Sequence, residues 1–353
     1  LAYKGITLKA GEFGALLDGT VGLNFLWTPN FDSIWNTKVW LAAAGQIFFT
    51  LSVGMGSIQC YASYLKENED IALNSVTAGF TNEFVEVILG SAIVIPIAAG
   101  FLGLDWVLEN AGFGMAFQTM PYLFQQWGPL ISAFAGVCWF GLLFFAGITS
   151  SLAMGTPWMG FMQDEFGWGK VKGAVSFGLV SLAMGLPTVL FYQYGYFDEY
   201  DYWGGTVSLV IFALLETILF TYIFGMKKGW EEITRGADIR IPSFYKVIMT
   251  YVTPVLLSIV FLGALITPAG NDWVAAFSNL FSGEGWALDP SSLIAKITFA
   301  DLEAQILANP DNAAALEEKM MYSGWARLQL LLLFLGICGI VWYSTVKRKK
   351  SIQ

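Results

Sequence analysis

FFTLSVGMGSIQCYASY, Phe48 to Tyr64, decides how this chain is read. It lies inside an apolar stretch, residues 40–65, and ~20 apolar residues suffice to cross a bilayer. Its middle holds Ser52, Gly54, Gly56 and Ser57 within six residues. Each interior glycine costs a helix about 1 kcal/mol relative to alanine. Two of them beside hydroxyls point either to a kinked structural helix or to one that breaks halfway across. A break frees backbone N–H and C=O groups, and only protein or a polar cavity can satisfy them at membrane depth. Interrupted spans of this kind mark substrate and ion sites in secondary transporters. The expectation is an interruption from about Leu51 to Ser57, near the membrane midplane.

The rest of the composition agrees with a membrane setting. The chain has 353 residues, 56% hydrophobic and 13% charged. Soluble domains usually carry about 25% charged residues, so this reads as an all-α integral membrane protein. No basic stripe or nucleic-acid motif is present, which argues against a nucleic-acid partner. Cys60, Cys138 and Cys338 all fall in apolar spans and show neither a disulfide framework nor metal-ligand spacing. Histidine is absent, so neither a His-ligated zinc nor a His proton relay is available. No phosphate-binding loop of the GxxxxGK[ST] type appears, so nothing supports ATP-driven transport. No organic cofactor and no nucleophile–base arrangement is indicated; the chain does not read as an enzyme.

Seven spans are expected, at about 40–65, 80–103, 129–160, 170–192, 202–225, 244–267 and 325–346. Residues 1–39 read as a loop, and 104–127 as an external helical hairpin broken near Gly112 and Pro121. Residues 268–324 read as a long acidic loop in which ADLEAQILA forms a short surface helix. Lys and Arg residues divide twelve against six between the two sides, with the run Lys347–Lys350 on the richer one. That bias puts the C-terminus in the cytoplasm and residue 1 outside. The chain opens Leu-Ala-Tyr, without an initiator Met or a signal-peptide pattern, and reads as a fragment.

Polar groups inside apolar spans are expensive, roughly 2.5–3.5 kcal/mol for a charge at the midplane. Glu86 follows Asn82 by one turn in TNEFVEVILG, so both share a helix face. Glu86 is either protonated or snorkelling, or it is a carboxylate beside a cation site to which Asn82 gives an oxygen. Thr149 and Ser150, in AGITSSLAMGTP, offer neutral oxygens that suit hard cations. Equally, such hydroxyls back-bond to the preceding turn or pack helices. Asp198, Glu199 and Asp201 crowd the outer start of the fifth span, where a solvated cluster is the ordinary reading. Glu216 lies deeper in that span, and spacing alone assigns it no role.

These motifs together resemble the neurotransmitter:sodium symporters, particularly their bacterial amino-acid transporters with the leucine-transporter fold. VWLAAAGQIFFTLSVGMGSIQCYASYLKENEDI resembles their sixth span and TNEFVEVILGS the seventh. FFAGITSSLAM resembles the eighth, and FDEYDYWGGT the tenth. NFLWTP and WEEITRG fall in the matching loops. The rule about broken helices was itself drawn in part from this family. The family has about twelve spans, built from an inverted five-plus-five repeat with extra C-terminal helices; the seven here resemble spans six to twelve. The resemblance implies an extracellular loop at 1–39, a second inverted repeat at 40–225, and two C-terminal spans at 226–353. The N-terminal spans would be partners supplied by the rest of the same protein.

The resemblance also implies site residues. Thr50 and Asn82 would help hold a first sodium; the Ala146 carbonyl, Thr149 and Ser150 a second. Phe49, Thr50, Ser52, Met55, Ser150 and Met154 would line the amino-acid site, with Phe49 as its outer lid. Asp201 would pair with an external arginine, and Tyr64 and Asp164 would belong to a cytoplasmic gate. Gln46 and Glu86 fall at the anion position, where a carboxylate accompanies chloride independence. Met55 replaces an aromatic residue often found there; with Met154 it implies a roomy pocket for a neutral, hydrophobic or aromatic L-amino acid. The implied activity is sodium-coupled import across the plasma membrane by alternating access, with the piece inactive alone. The competing reading is a non-transporting membrane scaffold or receptor, which would have no use for sodium ligands.

Overall fold

The computed structural model describes residues 2–110, 112 and 114–352, with side chains as far as Arg348. It is 82% helical with no strand among the described residues, which fixes the all-α class. Six helices among them are long and apolar enough to cross a membrane: Ile71–Leu102, Pro129–Phe166, Lys170–Leu190, Tyr196–Thr234, Phe244–Leu265 and Pro310–Arg348. The first expected span, at about 40–65, does not appear as one helix because it is broken. Thr37–Thr50 and Ser57–Ala62 are separate helices with irregular backbone between them. Large apolar side chains such as Leu142, Phe145 and Leu332 are 60–69% exposed on these helices, as lipid-facing residues are.

The chain divides into two compact units, Leu1–Phe31 with Ile71–Ala153, and Asp32–Asp70 with Met154–Gln353. In the first, Leu8, Ile97, Phe101, Met120, Leu123 and Phe124 form one buried cluster. Glycine allows the close approaches there: a Cβ on Gly22 would come within 2.8 Å of the Ile95 carbonyl oxygen. The Gly100 carbonyl accepts both the Leu16 and Leu17 N–H groups, tying the N-terminal segment down. The expected external hairpin is helical, Leu104–Glu109 and then Met115–Thr119 running into Met120–Gln125. Pro121 does not break it. It sits in the first turn of the last of these helices, and a missing N–H is tolerated there.

The second unit is built around Leu41, Val207, Val210, Val260, Ala264 and Leu293. Leu41, Ala44 and Phe48 recur at helical spacing, so Thr37–Thr50 packs one stripe on this core. The acidic stretch assigned to a loop at 268–324 is largely helical. It contains Trp273–Ser282, Leu293–Ile297 and Ala300–Ala308, and the last helix already begins at Ala313. ADLEAQILA is the helix Ala300–Ala308, and its Leu302 is buried.

Five segments wind as π-helix, Phe84–Gly90, Met115–Thr119, Asp201–Val207, Leu219–Gly225 and Ile248–Val252. Wider turns of this kind recur at functional sites. Glu86 lies in the first and Asp201 in the third.

Candidate functional site

The interruption in the second unit is built by local backbone geometry and held by a distant carboxylate. After Thr50, the N–H groups of Leu51, Ser52 and Val53 fold back onto the carbonyls of Ile47, Phe49 and Phe48. Ser52, Gly54 and Gly56 then take left-handed backbone, with φ of 56°, 79° and 78°. Such a conformation costs a residue with a Cβ roughly 1–2 kcal/mol, and glycine far less. Gly54 is also too close to its neighbours for a side chain: a Cβ would meet the Leu209 carbonyl oxygen at 3.1 Å and Phe212 at 3.3 Å. Gly56 starts the second half-helix, where a Cβ would touch the Pro157 ring at 3.3 Å.

Glu216, which spacing could not place, supplies the missing partner. Its Oε2 accepts the Gly54 N–H at 3.2 Å, and its Oε1 accepts the Gln59 side-chain N–H at 2.7 Å. One carboxylate therefore satisfies a freed backbone donor and ties the following half-helix to the same point. Phe49 is 46% exposed and Met154 40%. Thr50, Ser52 and Met55 are half-buried, and Gln46 is exposed on the preceding turns.

At the start of the span Tyr196–Thr234, Asp198 and Asp201 are exposed, but Glu199 is not a solvated carboxylate. Glu199 is 15% exposed and receives Arg327 in a two-point pair, Nε at 2.7 Å and Nη2 at 3.0 Å. The Trp203 indole N–H donates to the same carboxylate at 2.7 Å. The Arg327 guanidinium lies 4.0 Å from the Phe299 ring centroid and 5.5 Å from that of Trp203. Asp201, the implied gate residue, is exposed on the π-helical turn beside this clamp. Tyr64 and Asp164 are both exposed, and no side-chain hydrogen bond joins them among the described residues.

The entering end of Thr37–Thr50 is fastened as well. Lys38 Nζ lies 3.0 Å from Asp289 Oδ1, and Thr37 pairs with Thr267 at 3.2 Å. Burial pushes the Asp289 carboxyl up, but the Ser291 hydroxyl and amide and the Lys38 ammonium outweigh it and lower it to about 2.

The first unit carries the other implied ligands. Thr149 Oγ1 donates to the carbonyls of Phe145 and Ala146 at 2.9 and 3.1 Å, and Ser151 to Gly147 at 2.8 Å. These are the back-bonds open to any helical hydroxyl, yet they use only the proton and leave the oxygen lone pairs available. Ser150, between them, is exposed. Asn82 and Glu86 are half-buried on the run Ile71–Leu102. Sequence reasoning passed over their neighbour Glu83, whose Oε1 is buried without a hydrogen-bond partner. Its only sequence signal was a third carboxylate-or-amide residue in one apolar span. Neutral hydroxyl and carbonyl oxygens of the Thr149 kind suit a hard monovalent cation.

Comparison with known proteins places the chain. Residues 12–303 match the profile of the sodium:neurotransmitter symporter family. An uncharacterized sodium-dependent transporter of Methanocaldococcus jannaschii is 30% identical over 250 residues, covering 69% of this chain and 50% of that protein. The sodium-dependent nutrient amino acid transporter 1 of Drosophila melanogaster is 27% identical over 274 residues, 76% of this chain and 41% of that protein. The chain thus spans about half the length of the curated relatives it matches. With its broken helix, its polar groups within apolar spans and a match across most of its length, the chain belongs to the sodium:neurotransmitter symporter family.

Proposed function

We propose that this chain is the C-terminal portion of a plasma-membrane symporter that couples sodium entry to import of a neutral, hydrophobic or aromatic L-amino acid. The observation that carries the proposal is the interruption at 51–56, held open by Glu216 rather than healed into helix. A scaffold gains nothing from backbone groups left unwound at membrane depth, whereas a transporter uses them to bind an ammonium or a cation. The relatives named as nutrient amino acid transporters support an amino-acid substrate.

The roles follow the resemblance. Phe49, Thr50, Ser52, Met55, Ser150 and Met154 contact the amino acid, and carbonyls near Phe49 and Thr50 meet its ammonium. Thr50, Asn82, the Ala146 carbonyl, Thr149 and Ser150 give oxygen to sodium. Phe49 and Asp201 act at the outer gate, Tyr64 and Asp164 at the inner. Residues 40–225 form the second repeat, the C-terminus is cytoplasmic, and the spans preceding residue 1 complete the transporter. Gln46 and Glu86 occupy the anion position, so chloride is not required. Two charges ~5 Å apart interact at roughly 3 kcal/mol at an effective dielectric near 20, so one fixed carboxylate can replace a bound anion.

The test is uptake of labelled L-leucine and L-tyrosine by proteoliposomes holding the longer protein of which this chain is part. Uptake should follow an inward sodium gradient, vanish in choline, and persist when gluconate replaces chloride. Glu86→Ser should make it chloride-dependent. Equal uptake without sodium would remove the coupling, and collapse of wild-type uptake in gluconate would remove the role of Glu86.

A further inference from the structure

One corner of the second unit carries a built feature for which sodium coupling has no use. The helix Pro129–Phe166 ends at Phe166, and its ring stacks on Tyr343 of the last helix at 6.2 Å with planes 1° apart. The Trp168 N–H turns back to the Met162 carbonyl at 3.2 Å, which fixes the backbone from which its ring projects. Lys172 Nζ lies 4.2 Å from the Trp168 ring centroid, and Lys347 Nζ 5.9 Å from that of Phe166.

Two apolar clefts share Trp168 as a wall. One, about 690 Å³, runs along Val171, Val175 and Leu179 with Lys170 and Lys172 at its lip. The other, about 360 Å³, lies among Met162, Phe166, Ile340 and Tyr343 and is floored by Gly336 and Gly339. Nothing lies within 4 Å of where a Cβ on either glycine would stand, so the groove along the last helix is open.

The charges at this corner are unbalanced. Glu165 is 15% exposed and is engaged by Arg348. Among the described residues, Lys170, Lys172 and Lys347 form no ion pair with a carboxylate. Cation–π contacts orient the two ammonium groups without neutralising them.

We propose that this corner seats one anionic glycerophospholipid, its phosphate at Lys172 and Lys347 and its acyl chains in the clefts on either side of Trp168. Basic residues at the end of a membrane helix attract anionic headgroups, and Trp and Tyr favour the level where headgroup meets chain. A soluble phosphate would leave both clefts unfilled. A zwitterionic lipid would bring a further cation to a corner that already has three lysines. The site rests on the chain lying in a bilayer and not on sodium coupling, so either reading can fail without the other.

The test is native mass spectrometry of the whole chain released from detergent micelles doped with equal phosphatidylglycerol and phosphatidylcholine. Phosphatidylglycerol adducts should dominate on the unaltered chain. Lys172→Ala and Lys347→Ala should each cut that preference about fivefold, the factor for about 1 kcal/mol per lysine. Lys172→Arg should keep it. Lys227→Ala, a basic residue outside the corner, should leave it unchanged, and so should excess glycerol 3-phosphate. Gly339→Phe, which fills the smaller cleft without altering charge, should reduce adducts of both lipids. Equal adducts from both lipids on the unaltered chain would overturn the proposal. So would an equal loss with Lys227→Ala, or displacement by glycerol 3-phosphate.

Discussion

Residues 51–56 and residues 146–155 are alike in composition and opposite in structure. Both put glycines and hydroxyls into an apolar span. The first region breaks, while the second is part of an unbroken helix of 38 residues. In the second, the hydroxyls of Thr149 and Ser151 bond to the turn before them, and a Cβ on Gly147 would meet nothing within 4 Å. In the first, a carboxylate from another helix takes the freed Gly54 N–H, and the neighbouring backbone excludes a Cβ. Glycine and serine make a break affordable, but a partner elsewhere in the fold decides whether it occurs.

The strongest way to break this comparison is to remove the partner. Glu216→Ala strands the part-buried Gly54 donor and frees the exposed Gln59 amide, and should cost about 1–3 kcal/mol. Hydrogen exchange should rise sharply at 51–59 and the melting temperature of the chain in micelles should fall. Unchanged protection across that segment would mean the break stands without Glu216. Glu216→Gln keeps one acceptor oxygen, so its effect should be about half as large.

A matched pair of glycine substitutions sharpens the same contrast. Gly54→Ala places a Cβ at φ 79° against the Leu209 carbonyl and should destabilise by about 1–2 kcal/mol. Gly147→Ala, in open helix, should stabilise by up to about 1 kcal/mol. Thermal unfolding of the two variants side by side reads the difference; the same sign for both would erase the distinction.

Acid should then act on the fastening at the start of the broken helix. An unfolded aspartate titrates near 3.9, whereas Asp289 is held at about 2. The folded chain binds this proton more weakly, so the contribution is whole above about pH 4 and fades as pH falls through about 2. It amounts to at most about 2.6 kcal/mol, less to the extent that Lys38 is solvated. Asp289→Asn should flatten the stability profile over that interval, as followed by circular dichroism. A variant that keeps the wild-type slope would place the titration elsewhere.

The smallest effect belongs to the unbroken helix. Thr149→Val removes only back-bonds, so the chain should lose no more than about 0.5 kcal/mol. In the full-length symporter proposed above, the same change should weaken stabilisation by sodium. A large loss in the chain alone would show the hydroxyl to be structural.

Much of the fold was legible because hydropathy and glycine act locally. The long apolar spans, the interruption near Gly54 and the short helix ADLEAQILA all follow from neighbours in sequence. The last helix was misjudged because hydropathy outweighed propensity. AAALEEKMM is charged, yet Ala, Leu, Glu, Lys and Met are all good helix formers, and the helix begins at Ala313. The Glu199–Arg327 clamp and the Glu216 bonds were not legible, since their partners lie 128 to 162 residues apart. A charge in an apolar span announces that it has a partner without saying which one.

The bonds of Glu216 also fix how the two halves of the broken helix can swing. Gly54 at the joint and Gln59 on the short arm hang from the same carboxylate, so that arm has its fulcrum beside its own root. The long arm is pinned at its far end, through Thr37 and Lys38. A lever held at its tip can pivot only by moving its root, and here that root is the joint itself. Any rocking of Thr37–Thr50 therefore arrives at residues 51–56 as displacement, while the short arm turns about Glu216 nearly in place.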